Sequence, residues 1–120
     1  MSKSNRIMVV NIKHYGKPRH PWDVYIGRGS YGMEESPLYN PFRGDNETAV
    51  GKFRSYFTAA VNEDSMDPSA VSIRAEIKRL LDLWQEHGRL VLVCWCKPKP
   101  CHGDVIKSHL EHRIDEGNDE

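Results

Sequence analysis

The sequence predicts an α/β fold, a single small Rossmann-like domain whose mostly parallel sheet has helices packed on it. Three observations carry this. Ile7-Met8-Val9-Val10-Asn11-Ile12, Asp23-Val24-Tyr25-Ile26-Gly27-Arg28 and the run from Leu90 to Cys94 are rich in strand formers. Two stretches with apolar residues at helical spacing lie between the second and third of these runs. The third run, Leu90-Val91-Leu92-Val93-Cys94, is apolar without alternation, the pattern of an interior strand covered on both faces. The expected order is β, β, α, α, β, α, at least partly parallel because a helix between successive strands serves as a crossover.

Each element has its own signals. The first strand is closed by a polar, turn-prone stretch from residue 13 to residue 21. The second opens into Gly27-Arg28-Gly29-Ser30-Tyr31-Gly32, and a loop continues to residue 46 because Pro37 and Pro41 exclude a long helix. A loop of that length in a small domain is often functional. From residue 46 or 47 to residue 61, Val50, Phe53, Phe57, Ala60 and Val61 recur at helical spacing. Asp67-Pro68 then supplies a cap and a proline at the first helical position. Val71, Ile73, Ile77, Leu80, Leu81 and Trp84 make an apolar stripe that ends near Gly88. After the third strand, Lys97-Pro98-Lys99-Pro100 can continue neither a helix nor a central strand. A last helix, marked by Val105, Ile106, Leu110 and Ile114, starts at Cys101-His102-Gly103.

The chain of 120 residues fits one domain, with about residues 1–6 and 115–120 expected to fray. Seventeen basic residues balance seventeen acidic ones, so no global positive field holds nucleic acid. Nucleic-acid binding would need a local patch such as Arg6, Lys13, Lys17, Arg19 and Arg28, and it is not favoured. The three cysteines all lie between positions 94 and 101, which is not a disulfide framework, and the first residues lack the apolar stretch of a signal peptide. A reducing, cytoplasmic setting is expected, with no membrane span.

The chemistry is expected where the cysteine strand turns into the last helix. Cys101 at a helix start has its thiolate favoured by the helix dipole and nearby N–H groups, with Lys97, Lys99 and His102 adding positive charge. It is a candidate nucleophile, or alternatively a small buried residue closing the corner. Cys94, Cys96, Cys101 and His102 offer the ligand types of a zinc or iron–sulfur site. The spacing argues against it: Cys94 and Cys96 on a strand stand roughly 7 Å apart, and adjacent Cys101 and His102 are expected to diverge. No cofactor is therefore predicted, with zinc as the alternative.

His102-Gly103-Asp104 suits an anion instead. Gly103 permits close approach, and free helix N–H groups and the imidazole can donate, while Asp104 either serves the site or caps the first turn. Arg28, if its strand lies beside the cysteine strand, reaches the same crevice and can clamp phosphate or carboxylate, or remain a solvated charge. Tyr25, Tyr31, Tyr39 and Phe42 could stack on a base or simply pack, and Asn40 either caps its turn or offers its amide. Trp22, Trp84 and Trp95 read as core, with Trp95 on the opposite sheet face from Cys94 and Cys96 and under a helix. His14, His20, His87, His109 and His112 read as loop or helix-surface residues.

Val24-Tyr25-Ile26-Gly27-Arg28, Asn40-Pro41-Phe42 and the Cys94-Trp95-Cys96-x-Pro-x-x-Cys101-His102-Gly103-Asp104-Val105-Ile106 block together resemble domain-of-unknown-function family 4326 nearly end to end. Its members are small, often phage-encoded proteins. The resemblance implies an α/β domain and a site at Arg28, Asn40, Cys101, His102 and Asp104, with Gly27 and Gly103 beside them. It brings no established activity. The chain departs from the family where Tyr39 replaces a glycine before Asn40 and the preceding loop is longer. A looser similarity, to a family with a strand ending in cysteine and a Cys-His-Arg helix start, supports the fold.

The expected function is binding of a phosphate-bearing, nucleotide-like ligand at the strand/Cys-His-Gly/helix corner, with hydrolase or transferase chemistry by Cys101, His102 and Asp104 left open. The alternatives are a phage-type protein that sequesters a nucleotide without turnover, and a metal-stabilised structural or interaction module.

Overall fold

In the computed structural model, β3 (Leu90–Cys94) runs between β1 (Ile7–Asn11) and β2 (Asp23–Tyr25), parallel to both, giving the sheet order β1-β3-β2. The structure describes residues 7–29, 32–42, 45–62, 64–95 and 101–117. Ile7 pairs with Leu90 and Asn11 with Cys94 on one side of β3, while Asp23 pairs with Val91 and Tyr25 with Val93 on the other. All five β3 residues are buried, as an uninterrupted apolar run requires.

Side-chain alternation then divides the core in two. Leu90, Leu92 and Cys94 face the same way as Ile7, Val24 and Ile26, into a cluster completed by three long helices. These are α2 (Asn46–Ala60), α3 (Pro68–His87) and α4 (His102–Gly117). Phe53 and Phe57 come from α2, Ile73, Ile77 and Leu80 from α3, and Val105, Ile106, Leu110 and Ile114 from α4. Full burial of each such side chain is worth about 1.5–3 kcal/mol, so these stripes dock the helices. Val91, Val93 and Tyr25 face the other way, into a smaller cluster with Ile12, Val10, Tyr15, Trp22, Met33 and Trp95. Trp95 thus lies opposite Cys94 as expected, and its indole Nε1 donates to the Tyr25 hydroxyl at 2.8 Å.

The helix boundaries follow the capping chemistry. Asp45 accepts from Thr48 N to start α2, and Asp67 accepts from Ser69 N ahead of Pro68 to start α3. Gly88 ends α3 in the left-handed region at φ 72°, its N–H on the Trp84 carbonyl.

Three boundaries differ from expectation. The first strand stops at Asn11, whose side chain accepts from Lys13 N at 2.8 Å and caps a single helical turn, α1 (Ile12–Tyr15). The second strand stops at Tyr25, although Ile26 N still donates to Val93 O at 3.0 Å. Beyond it the Tyr25 ring folds over Gly27, where a Cβ would stand 2.5 Å from the tyrosine oxygen, and that oxygen donates to the Arg28 carbonyl. The last helix continues through residues 115–117, where fraying was expected, because buried Ile114 anchors its final turn to the core. Residues 1–6 and 118–120, also expected to fray, lie outside the described residues.

The segment before β2 is organised by one buried carboxylate. Asp23 accepts from the Tyr15 hydroxyl at 2.9 Å, from the backbone N–H groups of Arg19 and His20 at 3.0 Å, and from the His20 ring at 3.1 Å. His20 is therefore no idle loop histidine; its ring also stacks on Trp22 with centroids 4.7 Å apart. Burial by itself raises the Asp23 pKa, but the four donors outweigh it and the net shift is downward.

Asp23→Ala removes the acceptor of four donors and is expected to destabilise the protein by about 2–4 kcal/mol in urea unfolding. Because the folded-state pKa is depressed, the stabilisation from Asp23 is present above the ordinary carboxylate pKa of about 3.9 and is lost as pH falls through the folded value.

Candidate functional site

At the carboxyl end of the sheet, the end of β3 and the start of α4 bring two thiols and an imidazole together. Cys94 Sγ donates to the Val10 carbonyl at 3.3 Å. Cys101 Sγ lies 3.1 Å from Cys94 Sγ, and both cysteines are fully buried. The Gly103 N–H donates to Cys101 Sγ at 3.3 Å, the kind of helix-start donor that favours sulfur with negative charge. His102 turns inward as well, contrary to the divergence expected of adjacent residues, because its ring hydrogen bonds to the end of β2. Nε2 is 2.7 Å from the Ile26 carbonyl, and Nδ1 is 3.9 Å from Cys101 Sγ.

A carbonyl can only accept, so Nε2 carries the proton and Nδ1 presents a lone pair toward Cys101. The ring is 4 % exposed and meets Phe53 edge-on at 5.2 Å. Burial is the main reason its pKa stands below the ordinary imidazole value. The Arg28 guanidinium pushes the same way, while the Ile26 carbonyl, Cys94 and Asp104 push against it. His102 is thus a neutral imidazole tying β2 to α4, rather than an outward donor. Two of the helix-start N–H groups are also engaged internally: Gly103 N on the Cys101 sulfur, and Asp104 N on the Cys101 carbonyl at 3.0 Å.

The glycine of the motif serves packing. A Cβ at Gly103 would stand 2.8 Å from Val9 Cγ1 and 2.9 Å from Ile26 Cδ1, so the glycine lets α4 press directly onto the sheet. Asp104 is half-buried at the rim of this corner.

Arg28 does reach the same end of the sheet, because β2 is the neighbour of β3. Its Nε and Nη2 donate to the Asn40 carbonyl at 3.0 and 2.7 Å, and Nη2 also donates to the Phe42 carbonyl at 2.8 Å. Asn40 Oδ1 accepts from Phe42 N at 2.9 Å, and its Nδ2 donates to Ala49 O at 3.3 Å, joining the turn to α2. The Asn-Pro-Phe turn is therefore a fixture held by the arginine. The longer loop before it folds back onto the sheet, Ser36 N donating to Gly27 O at 3.0 Å and Leu38 fully buried, so Tyr39 does not displace Asn40 from Arg28. Among the described residues, Arg28 Nη1 has no hydrogen-bond partner, so this one nitrogen is left for an incoming acceptor while both Nη2 hydrogens are engaged.

The aromatics near the loop pack: Phe42 meets Tyr56 edge-on at 5.7 Å, and Tyr25 is buried. Of the basic residues suggested for nucleic acid, Arg19 lies over the Tyr15 ring at 4.5 Å and donates to the Tyr15 carbonyl at 2.6 Å. Arg6, Tyr31, Cys96, Lys97 and Lys99 fall outside the described residues. Among those described, no group of three or more His, Cys, Asp or Glu side chains has an arrangement that holds a metal ion. Among the described residues, no helix is long and apolar enough to cross a membrane.

Sequence reasoning missed the backbone partners at this corner, the Ile26 and Val10 carbonyls, which carry no residue-type signal. It also missed that Cys94 faces Cys101; the signal available was their placement at the two ends of one short connection.

A family model described as Domain of unknown function (DUF4326) matches residues 10–112. No curated protein and no solved structure matches the chain.

Protonating His102 costs more in the folded than in the unfolded chain, so stability is expected to fall as pH drops below about 6.5. His102→Gln, which keeps an N–H for the Ile26 carbonyl and cannot titrate, should flatten the pH dependence of urea unfolding below about pH 6.5. His109 titrates in the same direction, depressed by burial first and by Arg113 and His112 after it, and leaves a residual slope. Gly103→Ala drives a methyl into Val9 and Ile26 and should cost about 1–3 kcal/mol by the same measurement.

Proposed function

The chain belongs to the DUF4326 family, and from that starting point we propose that it binds a phosphate-bearing, nucleotide-like small molecule at the corner between Arg28 and the start of α4. The observation that carries this reading is the state of Arg28. Its guanidinium is half-buried, held by the Asn40 and Phe42 carbonyls through Nε and Nη2, left with Nη1 as a donor, and close enough to His102 to disfavour a charge on that ring. A cation fixed in advance in this way loses little freedom when it meets a phosphate oxygen. The ligand lies against Arg28 Nη1 and the first turn of α4, at the carboxyl ends of parallel strands, where ligands of open α/β sheets commonly bind.

The reading extends to turnover by hydrolysis or group transfer. Cys101 is then the nucleophile, with its sulfur supported by the Gly103 N–H and its proton passing to His102 Nδ1, and Asp104 stands at the rim beside them. The version without turnover is a protein that sequesters its ligand. A metal-stabilised module using Cys94, Cys96, Cys101 and His102 is the rival from another class.

One experiment separates these. Protein purified without a histidine tag is tested for metal content, then incubated with a panel of nucleotides and inorganic phosphate. Thermal shift and product formation are read separately. A ligand at a hundred times its Kd should add about 2.7 kcal/mol of stability. A shift with unchanged ligand removes the catalytic version, no shift with any anion removes the binding reading, and stoichiometric zinc or iron replaces both with the structural module.

A further inference from the structure

We propose that Cys94 and Cys101 form a redox site at which a small peroxide joins the two thiols in an intrachain disulfide that thiol reductants reopen. Their sulfurs are 3.1 Å apart, inside ordinary sulfur–sulfur contact, so closure to a bond of about 2.05 Å needs about 1 Å of movement. The approach is enforced from both sides. Cys94 ends β3, which is gripped between β1 and β2, and Cys101 directly precedes α4, whose Val105, Ile106 and Leu110 are anchored in the core. Neither sulfur is delivered by a freely moving segment.

The surroundings assign the two thiols different roles. Cys101 has the Gly103 N–H on its sulfur and the His102 Nδ1 lone pair nearby, so it is the attacking thiol. Its sulfur displaces one oxygen of hydrogen peroxide as water, with the thiol proton passing by way of His102, and becomes a sulfenic acid. Cys94, whose sulfur already touches it, attacks that sulfenic sulfur and releases the second water. In balance, two thiols and one hydrogen peroxide give one disulfide and two waters. Both cysteines are fully buried, so a small oxidant such as peroxide reaches them through local opening of the corner. The site stands on the sulfur geometry and the groups around Cys101 and does not depend on the ligand proposed above, although oxidation would withdraw Cys101 from any nucleophilic role.

The test uses the wild-type, full-length chain, stripped of metal and reduced, then treated with hydrogen peroxide. Intact mass should fall by about 2 Da and be restored by dithiothreitol. Free thiols are next alkylated in denaturant with a light reagent, and the disulfide is reduced and alkylated with a heavy one. Trypsin cleaves poorly at Lys97-Pro98 and Lys99-Pro100, so all three cysteines stay on one peptide and are located by fragmentation. The expected pattern is a light label on Cys96 and heavy labels on Cys94 and Cys101. A light label on Cys94 or Cys101, a disulfide that includes Cys96, or direct conversion of Cys101 to sulfinic acid overturns the proposal. These readouts are independent of nucleotide binding, so the two proposals can fail separately.

Discussion

Burial of β3 on both faces is the constraint from which the rest of the structure follows. A strand in that position must hydrogen bond on both edges, so β1 and β2 flank it in parallel. Its two faces must both be covered, and the three long helices take the face of Leu90, Leu92 and Cys94 while α1 and the Trp22 segment serve the other. The same strand then delivers Cys94 to the carboxyl end of the sheet, where α4 begins.

At that end, the residues that looked most like ligand contacts turn out to hold one another. Arg28 fixes the Asn40–Phe42 turn through carbonyls, and His102 fixes the end of β2 to the start of α4. Gly103 removes the methyl that would keep α4 off Val9 and Ile26. Such internal ties do not argue against a site. A binding corner has to be rigid before it can recognise an anion, and a guanidinium anchored through Nε and Nη2 holds its Nη1 in a fixed direction.

The sulfur pair adds a different kind of coupling. Because Cys94 belongs to the sheet and Cys101 to the helix start, any chemistry that joins them locks the junction on which the Arg28 corner rests. The neutrality of His102 bears on the same junction: its tie to the Ile26 carbonyl survives protonation, but burial opposes a charge on the ring, so acid works against the packing that holds it between α4 and the sheet.

By itself the sequence determined the α/β class, the interior character of Leu90–Cys94, the three long helices, the caps of the second of them, and the strand-to-helix junction at Cys101. Those follow from period, apolar continuity and capping residues, all of which are local and written in residue types. It placed Arg28 near the cysteine corner conditionally, on β2 lying beside β3, and only strand pairing could meet that condition. The one-turn α1, the fold of Tyr25 over Gly27, the inward turn of His102 and the meeting of Cys94 with Cys101 were decided by tertiary structure. The physical reason is the same in each case: the partners are backbone carbonyls, or side chains far along the chain, such as Val10 for Cys94 and Ile26 for His102, and no residue type announces them.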